Sequence, residues 1–203
     1  MIRGDLNAFT FTIGSVPCGK YVIKVTGFSG DVGSANFIVT YPCPTISVAG
    51  TYSQASCTGT LTITANNVNL ICNTGSKITD QRTNGIYLSG VSNVNVIDCY
   101  VTGFTGSGIL VGGGSENTLT GNTATKNTSD GFALISSASG NNMVNNTANN
   151  NSYVFLLDSS TSANVAVGNS ARGNPTSNAD DADANNFQAS LNPGIVCPTF
   201  TLP

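Results

Sequence analysis

The sequence predicts an all-β chain, most of which forms a right-handed, single-stranded parallel β-helix of about five coils of about 22–26 residues, preceded by a small antiparallel β module. The phrase NVNLICN, residues 67–73, returns almost unchanged as NVNVIDC, residues 93–99. From Asn84 the chain divides into blocks of about 23 residues. Asn, Thr, Gly and Ser, which are poor helix formers, dominate these blocks. The period therefore indicates stacked β coils rather than a helical repeat.

Each block begins with an alternation of inward and outward side chains, which is typical of a β-strand. Glycine occupies one position at Gly85, Gly108 and Gly131, and Val154 takes that position in the last block. Large apolar residues follow one and three positions later and predict two inward columns: Ile86, Ile109, Phe132 and Phe155, then Leu88, Val111, Leu134 and Leu157. The Asn-Thr and Asn-Ser pairs predict a column of stacked amides at a turn: Asn122, Asn146 and Asn169.

Residues 1–42 form a different module. FTFTI, KYVIKVTG and SANFIVTY alternate like strands and are separated by the turn-like segments GSVPCG and GFSGDVG. Residues 43–174 are predicted to form the β-helix, and residues 175–203 a C-terminal tail that packs on or between subunits. Over residues 19–39 the first module resembles the last strands of bacterial and archaeal immunoglobulin-like surface domains, in the pattern GxYxVxxTGxSGDxxSAxFxV. This resemblance implies that its remaining strands belong to a longer polypeptide or to another molecule.

A second resemblance covers residues 43–174. AGTYSQASCTGTLTITANNVNLICN, residues 49–73, is followed in order by GIYLSG, NVNVIDCYVTGF and NTLTGNT. This order is similar to the opening of right-handed parallel β-helix proteins of the pectate-lyase-like superfamily, in the branch that includes nitrous oxide reductase accessory proteins and secreted or cell-surface β-helix repeats. The resemblance implies an extracellular or periplasmic location and, often, contact with carbohydrate. It implies no activity, because function depends on the sites that a fold carries.

The composition restricts the partners and the compartment. The chain is 8% charged and 39% hydrophobic, with a net charge of −3. Because it has no basic stripe, nucleic acid is not an expected partner. No apolar run reaches the ~18 residues of a membrane span. The six cysteines lack CxxC or Cys/His spacing and predict disulfides formed in an oxidising compartment. Cys18 and Cys43 are the predicted pair, because both lie in the same N-terminal segment.

No catalytic residue is predicted, and an enzyme is the less favoured interpretation. The chain contains no His, the most common general acid or base. In the phase of the repeats, Asp98, Asp130 and Asp158 occupy three different columns. The catalytic sites known on this fold need carboxylates that converge. The sequence shows no such convergence.

The segment DDADANN, residues 180–186, contains the one predicted metal site. Asp181, Asp183 and Asn185 stand at alternate positions, the spacing at which a loop presents oxygen ligands to Ca²⁺. The motif is incomplete, since the usual glycine and the closing glutamate are absent. The alternative is a solvated acidic loop, or the first turn of a short helix that begins at Ser177 or Asn178.

Between the inward columns, the outward positions are apolar. The period of 2 turns Tyr87, Leu110, Ala133 and Leu156 outward, and Ile135 takes the next outward position. Stacked at ~4.8 Å, these residues predict a hydrophobic stripe along the coils. We expect another copy of the chain to cover this stripe. Alternatively, the stripe packs under residues 175–203.

Two classes of function fit these observations. The favoured one is an extracellular or cell-surface structural or adhesive protein that is not catalytic and forms a homo-oligomer or filament. The alternative is a carbohydrate-binding or carbohydrate-active β-helix with a polysaccharide partner. Its aromatic candidates are Tyr87 and Tyr100, which lie in different columns. An ice-binding surface is a remote third class, because no T-x-T column repeats.

Overall fold

The structure, a computed structural model, describes residues 41–174 in full and the backbone of three further strands, Gly19–Thr26, Val32–Val39 and Asp180–Asp181. The chain divides into two compact units, Met1–Thr40 and Tyr41–Pro203, close to the boundary expected at residue 42. In the first unit, β1 (Gly19–Thr26) and β2 (Val32–Val39) pair antiparallel, with Gly19 opposite Val39. This pairing confirms the antiparallel module. The predicted strand FTFTI lies outside the described residues.

The strands of the second unit are short and recur in sets of three. In chain order they are β3 (Thr45–Ile46), β4 (Gly50–Gln54), β5 (Cys57–Thr58), β6 (Leu61–Ile63), β7 (Val68–Cys72), β8 (Ile78–Thr79), β9 (Ile86–Ser89), β10 (Asn95–Ile97), β11 (Tyr100–Thr102), β12 (Ile109–Gly112), β13 (Thr118–Thr120), β14 (Thr123–Thr125), β15 (Asp130–Ile135), β16 (Asn142–Val144), β17 (Thr147–Asn149), β18 (Tyr153–Leu157), β19 (Val165–Val167), β20 (Ser170–Arg172) and β21 (Asp180–Asp181).

Three parallel sheets result, because each strand pairs with the strand one coil away and not with its neighbour in the chain. Sheet 1 contains β3, β6, β9, β12, β15, β18 and β21; sheet 2 contains β4, β7, β10, β13, β16 and β19; sheet 3 contains β5, β8, β11, β14, β17 and β20. This is the predicted all-β parallel solenoid of about five coils. No helix long and apolar enough to cross a membrane occurs among the described residues.

The coils change direction at residues with a left-handed backbone, and at most of these corners the next residue points into the core. Asp98 has a φ of 56°, and Cys99 after it is buried. Asn145, with a φ of 54°, likewise precedes the buried Asn146. Asn, Asp and Gly tolerate this backbone region better than other residues. The abundance of Asn and Gly in the repeats therefore follows from the geometry of the corners.

Two inward columns fill the space behind sheet 1, as predicted. Ile109 pairs in register with Ile86 and Phe132, and Phe132 pairs with Phe155. All four side chains are fully buried, and the two phenyl rings stack with their centroids 5.1 Å apart. The second column is equally buried: Leu88, Val111, Leu134 and Leu157. Complete burial of a side chain of this size stabilises the fold by roughly 1.5–3 kcal/mol.

Three columns of asparagines, all buried except the half-buried Asn174, run through the corners of the later coils. They are Asn117, Asn141 and Asn164; Asn122, Asn146 and Asn169; and Asn127, Asn151 and Asn174. The Oδ1 of Asn146 accepts from the backbone N–H and the side-chain amide of Asn122, and its Nδ2 donates to the Leu119 carbonyl and to Asn169 Oδ1. The full hydrogen-bonding capacity of this buried amide is thus used. The predicted column is confirmed, and the structure adds two more.

Two disulfides, Cys43–Cys57 and Cys72–Cys99, join adjacent coils. In each pair the Cα atoms lie 4.9 Å apart, which is within the range that a disulfide bridges. The prediction that Cys43 pairs with Cys18 is wrong, because Cys57 lies one coil away from Cys43 and bonds to it. Cys18 lies outside the described residues. Pairing follows the stacking of coils, not membership of one sequence segment.

Candidate functional site

The outward face of sheet 1 contains the apolar stripe that the sequence predicts. Leu110 stands opposite Tyr87 and Ala133, and Ala133 stands opposite Leu156, so the four residues form one column. Ala133 is 1% exposed, and the other three are half-buried. The structure brings the predicted interface residues together in register. Their role as an interface stays a prediction.

The Tyr87 ring extends the stripe toward the neighbouring outward column. A Cβ atom at Gly112 would lie 2.7 Å from a ring carbon of Tyr87, so the ring lies directly over this glycine. Gly112 in turn stands opposite Ile135 in the next coil. We call the resulting set of adjacent outward residues the sheet 1 patch: Tyr87, Leu110, Ala133, Ile135 and Leu156.

The outward face of sheet 2 contains a second column that is apolar at four of its five rungs, which the sequence analysis missed. Its members are in register on successive coils and are all β-branched: Ile71, Ile97, Thr120, Val144 and Val167. The neighbouring outward column is polar until its last rung: Asn69, Asn95, Thr118, Asn142 and Val165. Ile71 is 37% exposed and Val165 is 43% exposed. We call these two columns the sheet 2 face.

The signal for this face was present in the repeated phrases NVNLICN and NVNVIDC. Ile71 follows the buried Leu70, and Ile97 follows the buried Val96. A strand period of 2 alone turns both isoleucines outward. The later coils carry Thr, Val and Val at this position, so the column becomes visible only after the coils are aligned on sheet 2.

The outward face of sheet 3 is polar. One of its two outward columns contains Thr58, Thr79, Thr102, Thr125, Asn149 and Arg172. The other column contains Tyr100, and Lys77 Nζ lies 5.5 Å from the centroid of that ring, as in a cation–π contact. Tyr87 and Tyr100 lie on different sheets, so they do not form one aromatic platform. A repeated T-x-T column would be expected on an ice-binding surface, but among the described strands of sheet 3 only β14 contains T-x-T.

A cleft of about 450 Å³ lies beside the first coils. It is lined by Pro42, Cys43, Thr58, Gly59, Thr60, Asp80 and Arg82. The Nε of Arg82 lies 3.7 Å from Asp80 Oδ2, and the Arg82 side chain is 84% exposed. Such an exposed ion pair contributes about 0–1 kcal/mol, so the guanidinium remains available to a ligand. The cleft therefore offers a carboxylate, a guanidinium and threonine hydroxyls to a polar molecule.

The three aspartates of the repeats do not converge, as the sequence predicts. Asp98 extends over Gly121 in the next coil, where a Cβ atom would lie 2.4 Å from its Oδ1. Asp130 is 5% exposed, and its Oδ2 accepts hydrogen bonds from the hydroxyls of Ser107 and Ser129. The Asp130 carboxylate therefore has structural partners within the stack, and Asp98 lies close against the next coil.

Asp158 holds the loop that follows β18. Partial burial acts to raise the pKa of Asp158, but hydrogen bonds from the Ser160 hydroxyl, the Ser160 N–H and the Ser136 N–H outweigh it, and the pKa lies below its usual value. Because Ser136 belongs to the preceding coil, the ionised carboxylate joins two coils.

The predicted calcium ligands are only partly described. The backbone of Asp181 belongs to β21 and pairs with Leu157. Asp183 and Asn185 lie outside the described residues. Within the described part of the chain, no group of three or more His, Cys, Asp or Glu side chains is placed to hold a metal ion. The calcium site stays a prediction.

Comparison with known proteins places this architecture in a family. The family model for the right handed beta helix region matches residues 45–192. No curated protein and no solved structure matches the chain. The resemblances to the pectate-lyase-like branch and to immunoglobulin-like domains remain expectations. Since the match covers more than half of the chain, the chain belongs to the right-handed β-helix family.

Proposed function

We propose that the protein is a non-catalytic structural or adhesive protein of the cell exterior, and that its copies associate through the sheet 1 patch. The observation that carries this proposal is the in-register column of Tyr87, Leu110, Ala133 and Leu156 on an outward face. Single exposed apolar residues are common on soluble proteins, whereas contiguous apolar patches mark interaction sites. The four rungs span ~14 Å of the stack, and the half-buried Tyr87, Leu110 and Leu156 supply its accessible apolar surface.

The internal construction of the stack supports a location outside the cytoplasm. The two disulfides indicate an oxidising environment. The asparagine columns join consecutive coils by side-chain hydrogen bonds in addition to those of the three sheets. A body held in this way resists local opening, because every buried amide must lose several bonds at once. Such rigidity is useful to a structural protein that lies outside the cell.

Replacing two members of the patch by acids tests the proposal. The variant Leu110→Asp/Leu156→Asp places two carboxylates on alternate rungs of the column. If a second copy buries the patch, association requires both charges to leave water, which is costly without a partner. We expect the oligomer to dissociate in sedimentation velocity while the thermal midpoint by circular dichroism changes little.

Thr123→Asp/Ser170→Asp is the matched control, because these outward residues of sheet 3 are also two coils apart. It should leave the oligomer intact. If the sheet 1 variant instead keeps its oligomeric state and melts at a much lower temperature, residues of the same chain cover the patch. The proposed interface would then be wrong.

The cleft beside the first coils favours carbohydrate binding as a second function. A sugar's hydroxyls can pair with the Asp80 carboxylate and the Thr58 hydroxyl, and an acidic sugar can also pair with Arg82. Calorimetric titration with a neutral and an acidic oligosaccharide series tests this function. We expect Asp80→Asn to weaken binding of both series and Arg82→Ala to weaken the acidic series more. Absence of binding heat for both series would exclude it.

A further inference from the structure

The sheet 2 face combines exposure with regularity. Its aliphatic column repeats a β-branched side chain on five successive coils, from Ile71 to Val167, and is aliphatic at every rung except Thr120. Its members stand ~4.8 Å apart, which is the spacing of the strands that carry them. Two of the three large apolar residues that are exposed among the described residues, Ile71 and Val165, belong to this face. The described part of the chain therefore leaves this surface open to a partner.

The charge of the face restricts the partner. None of the described strands of sheet 2 contains Asp, Glu, Lys or Arg. By contrast, sheet 3 contains Arg172, and sheet 1 contains Asp130, Asp180 and Asp181. An uncharged face gives no attraction to nucleic acid or to an anionic membrane. It also meets a copy of itself without repulsion between like charges.

The spacing of the column identifies the partner more closely. To interdigitate with five rungs at ~4.8 Å, a partner must present side chains with the same spacing over the same length. A second copy of this stack has that spacing by construction. We propose that the sheet 2 face docks against the sheet 2 face of a second copy.

Symmetry then fixes the arrangement. A twofold axis parallel to the strands makes the two stacks antiparallel and keeps each column opposite its own counterpart. Ile71 then meets Val167, and Ile97 meets Val144, while Thr118 and Thr120 meet their own copies. Asn95 meets Asn142, and amides both donate and accept; Asn69 lies opposite Val165. A twofold axis along the stack would instead place the aliphatic column against the polar one. In the antiparallel arrangement Thr120 lies at the axis, and Ile71 lies opposite Val167.

The extent of the face determines the strength of the contact. Six strands of about three residues each cover roughly 300 Å², which is below the ~800 Å² per partner of a stable interface. Association through sheet 2 alone is therefore weak and depends on concentration. Together with the sheet 1 patch, which rests on the proposed function, it gives each copy two separate twofold contacts. Two such contacts on different sides of one body generate an open array instead of a closed dimer.

Charge variants on the two faces distinguish this inference from the proposed function. Ile97→Asp/Val144→Asp alters sheet 2, and Leu110→Asp/Leu156→Asp alters sheet 1. In sedimentation velocity over a concentration series, we expect the parent chain to form open-ended assemblies, each double variant to stop at dimers, and the quadruple variant to remain a monomer. If only the sheet 2 variant changes the assembly, the inference holds and the sheet 1 interface fails. If the sheet 2 variant assembles like the parent, the inference is overturned.

Ile97→Thr/Val144→Thr is a milder second variant in case the Asp variants misfold, because threonine keeps the β-branched shape and reduces the apolar surface. It should weaken association in the same direction and melt near the parent temperature. Unchanged association in a folded Thr variant overturns the proposal.

Site-specific cross-linking tests the arrangement itself. With a short bismaleimide, Thr120→Cys should cross-link to its own copy. Ile71→Cys and Val167→Cys should cross-link when mixed, and neither should do so alone. The parent chain and Thr123→Cys on sheet 3 give the background. A Thr120→Cys yield no higher than this background overturns the proposed dimer.

Discussion

We call the coils up to and including the one that begins at β9 the lower coils, and those from β12 onward the upper coils. The two groups fill the same corner positions with different residues. In the coil that begins at β9, the inward corner residues are Val94, Cys99 and Phe104, all buried. In each later described coil, asparagines take these positions. Both disulfides lie in the lower coils, and residues 100–174 contain no cysteine. Apolar columns fill both groups of coils, but the corners of the lower coils add apolar packing and covalent bonds, whereas those of the upper coils add buried hydrogen bonds.

The last lower coil and the first upper coil are joined directly by hydrogen bonds. The backbone N–H groups of Val94, Cys99 and Phe104 donate to the side-chain oxygens of the first asparagine rung. An asparagine at a corner therefore satisfies the backbone of the coil before it, whether or not that coil contains asparagine. The difference indicates that a corner needs a filled volume and a paired N–H, and that more than one residue type supplies the volume.

Removing one asparagine from a column of the upper coils should cause the largest loss in the free energy of unfolding. Asn146→Ala removes the acceptor of the Asn122 N–H and leaves the Leu119 carbonyl without its amide donor. Since each buried polar group left unpaired costs roughly 1–3 kcal/mol, we expect a loss of about 3–5 kcal/mol in the free energy of unfolding, measured by urea denaturation.

Asn142→Ala is the control for this change. Asn142 is exposed and faces outward on sheet 2, so its loss should stay within about 0.5 kcal/mol. Equal losses for the two variants would show that the asparagine columns do not support the stack.

Removing a disulfide from the lower coils should cause a smaller loss in the free energy of unfolding. We expect Cys72→Ala/Cys99→Ala to lower the free energy of unfolding by about 2–4 kcal/mol, because the unfolded chain gains freedom. Each coil contacts mainly its neighbours, so the damage should stay local. Hydrogen exchange should increase in β4, β7 and β8 and remain slow in β16, β17 and β19. A uniform increase along the stack would contradict the division into two differently held parts.

Removing the charge of Asp158 in the upper coils should cause the smallest loss of stability. Its pKa in the folded chain is lower than the usual value of about 3.9, so the stability it contributes is present above that value and is lost as pH falls through the folded pKa. We expect Asp158→Asn to be less stable than the parent near neutral pH, with a gap that closes in acid. Ser160→Ala, which removes a donor to the carboxylate, should reduce the same pH dependence. A gap independent of pH would contradict the assigned role.

The inward columns and one asparagine column could be predicted because they depend on local period. Phe132 and Phe155 occupy matching positions in blocks of equal length, so aligning the blocks aligns the side chains. The column of Asn122, Asn146 and Asn169 could be predicted from the Thr or Ser that follows each of them, whereas their burial is seen only in the structure.

The disulfides and the sheet 2 face could not be predicted in this way. Cys43, Cys57 and Cys72 precede the regular blocks, and the two disulfides span separations of 14 and 27 residues, so the first coils do not share one length. The sheet 2 column changes from Ile71 to Thr120 to Val167, and only the hydrogen-bonded register shows that these residues share a face.

The most direct test of the central claim, that outward faces join copies of this chain, is electron microscopy of the purified protein over a range of concentrations. We expect stacks lying side by side in arrays or filaments whose population rises with concentration. The quadruple variant Ile97→Asp/Leu110→Asp/Val144→Asp/Leu156→Asp should give isolated particles under the same conditions. Isolated particles of the parent chain at every concentration would contradict the claim.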